Sequence, residues 1–136
     1  MKRFNTALDN AKGTYLQEGP SVDLKEIVQG FLQFTKKHLK YQNPPKVVLS
    51  KNHSQVLKVR ALGCYNMDDN LIWLYVRNRN AADILRTLGH ELVHVKQLED
   101  NKSVDGSTGS SDENEANSQA GVLLRNYGAL HPEIYN

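Results

Sequence analysis

The sequence predicts an α+β domain in which helices pack against one small antiparallel sheet. Three observations lead there. Residues 21–40 carry apolar side chains at helical spacing. Two short apolar runs flank the turn-rich cluster "NMDDN" at 66–70, as the strands of a hairpin do. Two further helical patterns then sit on either side of a polar loop. At 136 residues the chain has room for one core and is read as a single domain spanning 1–136.

The elements follow in order. Residues 1–20 are polar and include Gly13, Gly19 and Pro20, so they are expected to form a poorly ordered or loosely attached N-terminal segment. In "SVDLKEIVQGFLQFTKKHLK", Leu24, Ile27, Val28, Phe31, Leu32, Thr35 and Leu39 share one side of a helix that Ser21 can cap. "NPP" at 43–45 stops it, and "KVVLS" reads as a short strand. A strand-like run around "LKVRALGCY" and the run "LIWLYV" at 71–76 form the expected hairpin. Asn80 can cap the next helix, which runs to about residue 98. "EDNKSVDGSTGSS" is a polar loop, and Ser110 with Glu113 then fits the Ser-x-x-Glu box that opens a last helix. Ala116, Ala120, Leu123, Leu124 and Tyr127 give that helix its apolar side.

Composition narrows the function classes. No apolar run is long enough to span a bilayer, and "MKRFNTALDN" has no apolar stretch after its basic residues, so neither a membrane span nor secretion by the usual signal is expected. A net charge of +2 is too small for the basic footprint of a nucleic-acid binder. The basic "TKKHLK" at 35–40 closes a helix, where cations complement the dipole. Cys64 is the only cysteine, so no intramolecular disulfide can form and a reducing, cytoplasmic setting is expected.

The chemistry concentrates in "HELVH", His90 to His94. Residues four apart on a helix stack one turn above the other, so both imidazoles can point at one metal ion. Glu91 lies beside that face, placed to hydrogen-bond a water without being a ligand. Ile84, Leu85, Leu88, Leu92 and Val95 carry the apolar stripe and leave the histidines facing a cleft. Mid-helix Gly89, at a cost of about 1 kcal/mol against alanine, is expected to permit close packing against the sheet.

A catalytic zinc needs a third protein ligand and an open position. Leu98 stands where a third histidine four residues on would be, and Gln97 stands where the metzincin pattern wants glycine, which weakens the case for Asp100. The other candidates lie in "DENEAN": Glu113 and Glu115, which two helical positions turn about 200° apart, so that both cannot face one ion. HExxH followed by a helix bearing Glu-x-x-x-Asn resembles the gluzincin metallopeptidases, thermolysin and the compact ImmA/IrrE-like domains among them. The stretch "GSTGSSDENEANSQAGVLLRNYG" also resembles that of small phage-encoded proteins with an HELVH motif. The likeness covers residues 71 to 128.

That resemblance implies a minimal zincin-like fold, a Zn²⁺ cofactor held by His90, His94 and Glu113, and Glu91 as the general base of peptide-bond hydrolysis. It also implies Asn117, one turn below Glu113, as a partner that orients a ligating histidine. A peptide or protein substrate would dock along a sheet edge, with "LIWLYV" the expected strand and Trp73 and Tyr75 expected in the core. Tyr127, His131 and Tyr135 are the candidates for an oxyanion donor. A phage origin would place the protein in the host cytoplasm or on the virion. Two other readings stand beside the enzyme: a non-catalytic zinc-stabilised interaction module, and a regulatory protease directed at one partner.

Overall fold

The computed structural model describes residues 21–100, 104 and 109–136. The N-terminal segment expected at 1–20 and most of the expected loop at 99–111 lie outside the described residues. Among the described residues the architecture is α+β: four helices, a short 3-10 turn and a three-stranded mixed sheet.

Helix α1 spans Ser21–Leu39. Val28, Phe31 and Thr35 are buried, and Leu24, Ile27, Leu32 and Leu39 pack half-buried against the same core. Lys36, Lys37 and His38 close it, as the basic run foretold. The cap assigned to Ser21 concerns a side chain outside the described set. Lys40 turns the chain with a φ of 61°. Glu99 then accepts from the backbone N–H of Gln42 (2.6 Å) and Asn43 (2.8 Å), tying this segment to the end of the motif helix.

The sheet departs from the expectation of an antiparallel one. Strand β1, Lys46–Ser50, pairs in parallel with β3, Leu71–Tyr75, in the register Lys46 to Leu71 through Ser50 to Tyr75. Strand β2, Gly63–Asn66, pairs antiparallel with β3, and the order is β1-β3-β2. The hairpin is therefore real, its turn held by Asp69 N–H donating to the Asn66 side chain (3.2 Å) and by Asn70 at a φ of 49°. All five residues of β3 are buried, which is what a central strand covered on both faces requires.

The run "LKVRALGCY" is also not one strand. Its first three residues end helix α2, His53–Val59, whose cap Asn52 accepts from Ser54 N–H at 3.0 Å. The physical reason is topological. Since β1 and β2 flank β3 on opposite sides, the chain must cross the width of β3, and α2 does so over the second face of the sheet. There Val56 packs on Val48, Leu71, Trp73 and Tyr75. Trp73 is fully buried, as expected.

Helix α3, Ala81–Glu99, begins at Asn80, whose side chain accepts from Asp83 N–H at 2.8 Å. Arg79 fixes its angle to the sheet by donating to the Tyr75 carbonyl (2.7 Å), Asp83 (2.7 Å) and Thr87 (2.6 Å). The five apolar residues read from the sequence are buried, joined by Gly89, Val93 and Gln97. Gly89 faces Ala120 and Phe31 rather than the sheet; a Cβ there would lie 3.4 Å from that of Ala120. Helix α4, Ser111–Leu130, packs antiparallel on α3, and a 3-10 turn at Pro132–Tyr135 buries Ile134. Among the described residues no helix is long and apolar enough to cross a membrane.

Candidate metal centre

Two helices build the site. The Ser110 hydroxyl accepts from Glu113 N–H at 3.1 Å, which starts α4 with Glu113 in its first turn. The antiparallel packing of α3 then sets that turn against His90 and His94. His90 Nε2 lies 2.9 Å from one Glu113 carboxylate oxygen and His94 Nε2 lies 3.1 Å from the other. The two Nε2 atoms are 3.1 Å apart. Among the described residues these three are the one group of His, Cys, Asp and Glu side chains close enough to share an ion.

Hydrogen bonds on the far ring nitrogens set the tautomers. His90 Nδ1–H donates to Asn117 Oδ1 at 2.8 Å, the contact the sequence pattern led one to expect. His94 Nδ1–H donates to Gln97 Oε1 at 2.8 Å. Gln97 cannot turn its amide over, because its Nε2 donates to the Asp112 carbonyl (3.2 Å) and to Glu115. Both imidazoles consequently present Nε2 lone pairs toward each other and toward a carboxylate. A single proton can relieve one edge of that triangle, whereas a divalent cation at its centre relieves all three. Ligand atoms around a tetrahedral ion with bonds of about 2.0–2.1 Å sit about 3.3 Å apart. With 3.1 Å between the Nε2 atoms and each imidazole against a different oxygen of Glu113, the three side chains are close enough to share such an ion, and two imidazoles with one carboxylate are a zinc-type donor set.

The rival ligands are accounted for. Glu115 is committed to Gln97 and accepts from Gln119 as well (3.4 Å). Asp100 caps the end of α3 and pairs with Lys96 at 3.1 Å. Gln97 is the functional residue that sequence reasoning missed, entering it only as a departure from the metzincin glycine. Its signal was present: it stands three residues after His94, on the same helical face.

Glu91 lies beside the histidines, on the side of α3 that faces β2. Burial pushes its carboxyl above the usual carboxylate range, opposed by His90 and His94 and reinforced by Glu113, while the backbone N–H of Tyr65 draws it down. A carboxylate with a raised pKa is a stronger base than an unperturbed one. Burial likewise raises the Cys64 thiol, with Glu91 adding to the shift, which disfavours the reactive thiolate. Tyr127, His131 and Tyr135 are elsewhere. Tyr127 follows Glu113 by fourteen residues, about 21 Å along α4, and His131 stacks on it at 4.3 Å. Compared with protein-family models, curated proteins and solved structures, the chain matches none.

Proposed function

We propose that this protein is a zinc-dependent metallopeptidase of the gluzincin type, with a minimal zincin-like fold. The observation that carries the reading is the convergence of His90 Nε2, His94 Nε2 and the Glu113 carboxylate, with a half-buried carboxylate, Glu91, beside them and outside the ligand set. Zinc held by those three supplies Lewis acidity, which polarises a substrate carbonyl and lowers the pKa of water. Glu91 takes the proton of the attacking water on its carboxylate and hands it to the departing amine. Asn117 and Gln97 keep the two Nε2 atoms aimed inward.

The substrate strand differs from the sequence expectation. "LIWLYV" is β3, paired on both sides, and has no edge to offer. The strand at the edge beside α3 is β2, whose Tyr65 reaches Glu91 and whose Gly63 touches Thr87. An extended peptide added antiparallel to β2 would satisfy main-chain groups and pass over the histidines.

The test is Glu91→Gln, which should retain zinc and fold while losing hydrolysis of a mixed peptide library by about 10² to 10⁴-fold. If no peptide is cut more by the parent than by Glu91→Gln, and zinc removal sharply lowers the melting temperature of both, the site is structural. The zinc-stabilised interaction module then replaces the enzyme.

A further inference from the structure

The metal centre lies on a seam that continues beyond it. Ala82, Arg86, His90 and His94 recur every four residues on α3, and Glu113, Asn117, Gly121 and Arg125 do so on α4. Because the helices are antiparallel, His94 meets Glu113, His90 meets Asn117, and Arg86 comes opposite Gly121 and Arg125. At that end the seam opens into a groove of about 280 Å³, which Tyr135 also lines. Ala82 and Gly121 leave its floor empty; a Cβ on Gly121 would meet nothing within 4 Å.

The groove is cationic. Arg86 and Arg125 line it from opposite helices, and neither has a carboxylate partner among the described residues. Its single acid, Asp83, is already paired with Arg79 at 2.7 Å. Two arginines lining one open, small-floored groove from facing helices offer a site for a carboxylate.

We infer that Arg86 and Arg125 form a subsite for a peptide carboxylate on the downstream side of the cleaved bond, an assignment that rests on the peptidase reading and deepens it. The direction follows from β2. Gly63 lies against Thr87 and Tyr65 against Glu91, so β2 runs along α3 from its start toward the metal. A peptide antiparallel to β2 runs the other way and leads its downstream residues toward Arg86. Arg86 is about 6 Å along α3 from His90, and Arg125 about 12 Å along α4 from Asn117. At about 3.3 Å per extended residue, the carboxylate stands two to four residues past the bond. It belongs either to an acidic side chain or to the end of the peptide, in which case short C-terminal fragments are released.

The test uses the zinc-loaded Glu91→Gln protein and three fluorescein-labelled pools of octapeptides with randomised neutral residues. One pool has a free carboxyl end, one an amidated end, and one an amidated end with a single Glu. Both arginines are exposed, and unchanged melting temperatures will show that their variants fold. The free-acid or Glu pool should bind about three- to tenfold tighter than the neutral amide, the range expected for two solvent-screened pairs. Tighter binding of the free-acid pool alone assigns the chain end, and of the Glu pool the side chain. Arg86→Gln with Arg125→Gln should erase the preference, and Arg86→Glu with Arg125→Glu should turn it toward a Lys-containing pool. No binding of any pool, equal binding of all three, or a preference that survives both double variants overturns the subsite. A preserved, arginine-dependent preference in a parent that cuts no pool supports the carboxylate site while removing the peptidase reading.

Discussion

The two flanks of α3 are built in different ways. Toward α4, the contacts run between side chains: His90 to Asn117, His94 through Gln97 to Glu115, and both histidines to Glu113. Toward β2, they depend on the backbone: the Tyr65 N–H beside Glu91, and Gly63, which lets the strand close on Thr87 because it has no Cβ. On the proposed reading the α4 flank holds the metal ligands and the β2 flank holds the base. Damage to one should therefore be separable from damage to the other.

The largest effect should come from Gln97→Ala on the α4 flank. Gln97 is 2% exposed, and its loss strips partners from His94, the Asp112 carbonyl and Glu115 together. We expect a stability loss of about 2–4 kcal/mol by chemical denaturation and zinc affinity lowered about 10- to 100-fold in a chelator competition. A variant that loses neither would mean that His94 is oriented by something else.

Gly63→Ala breaks the other flank. Its Cβ would fall 2.5 Å from Thr87 Cγ2 and 3.2 Å from Leu74 Cδ2, forcing β2 off the helix. The expected cost is about 1–3 kcal/mol, with hydrolysis impaired and zinc affinity kept. Adding Thr87→Ser removes the colliding methyl and should restore much of both losses. If Gly63→Ala weakens zinc as much as Gln97→Ala does, the two flanks are one unit.

Asn117→Ala sharpens the comparison within the α4 flank. The contact to His90 lies near the surface, so stability should fall by only about 0.5–1.5 kcal/mol, while zinc affinity falls about 10- to 100-fold. The smallest change is Gly89→Ala. Its new Cβ would sit 3.4 Å from Ala120, an ordinary contact, so the helix should gain up to about 1 kcal/mol with zinc binding unaltered. Thermal denaturation of the pair Gly63→Ala and Gly89→Ala should thus show opposite signs.

The same contrast explains what could be read from the sequence. Helical spacing puts His90 over His94 and Ser110 before Glu113, so α3, α4 and the histidine pair were legible in the sequence, while the choice of Glu113 over Glu115 came from the resemblance to gluzincins. Asn117 as a partner of a ligating histidine came from the same resemblance. Strand pairing has no such local rule. Nothing in "KVVLS" states that it runs parallel to "LIWLYV", and the crossing that requires α2 is a property of the whole sheet. The docking edge was accordingly expected at β3, which the sheet order places in the centre between β1 and β2. Gly63 drew no attention because its function is the absence of an atom, and Gln97 because its amide matters only once Glu115 stands across from it.

The central claim is that His90, His94 and Glu113 hold one zinc ion. Anomalous diffraction at the zinc edge, from crystals grown with zinc, addresses it most directly. The account predicts one strong peak about 2.0–2.1 Å from His90 Nε2 and His94 Nε2 and about 2.0–2.2 Å from a Glu113 carboxylate oxygen. A triangle without a peak, or a peak ligated by Glu115 or Asp100 in place of Glu113, would contradict it.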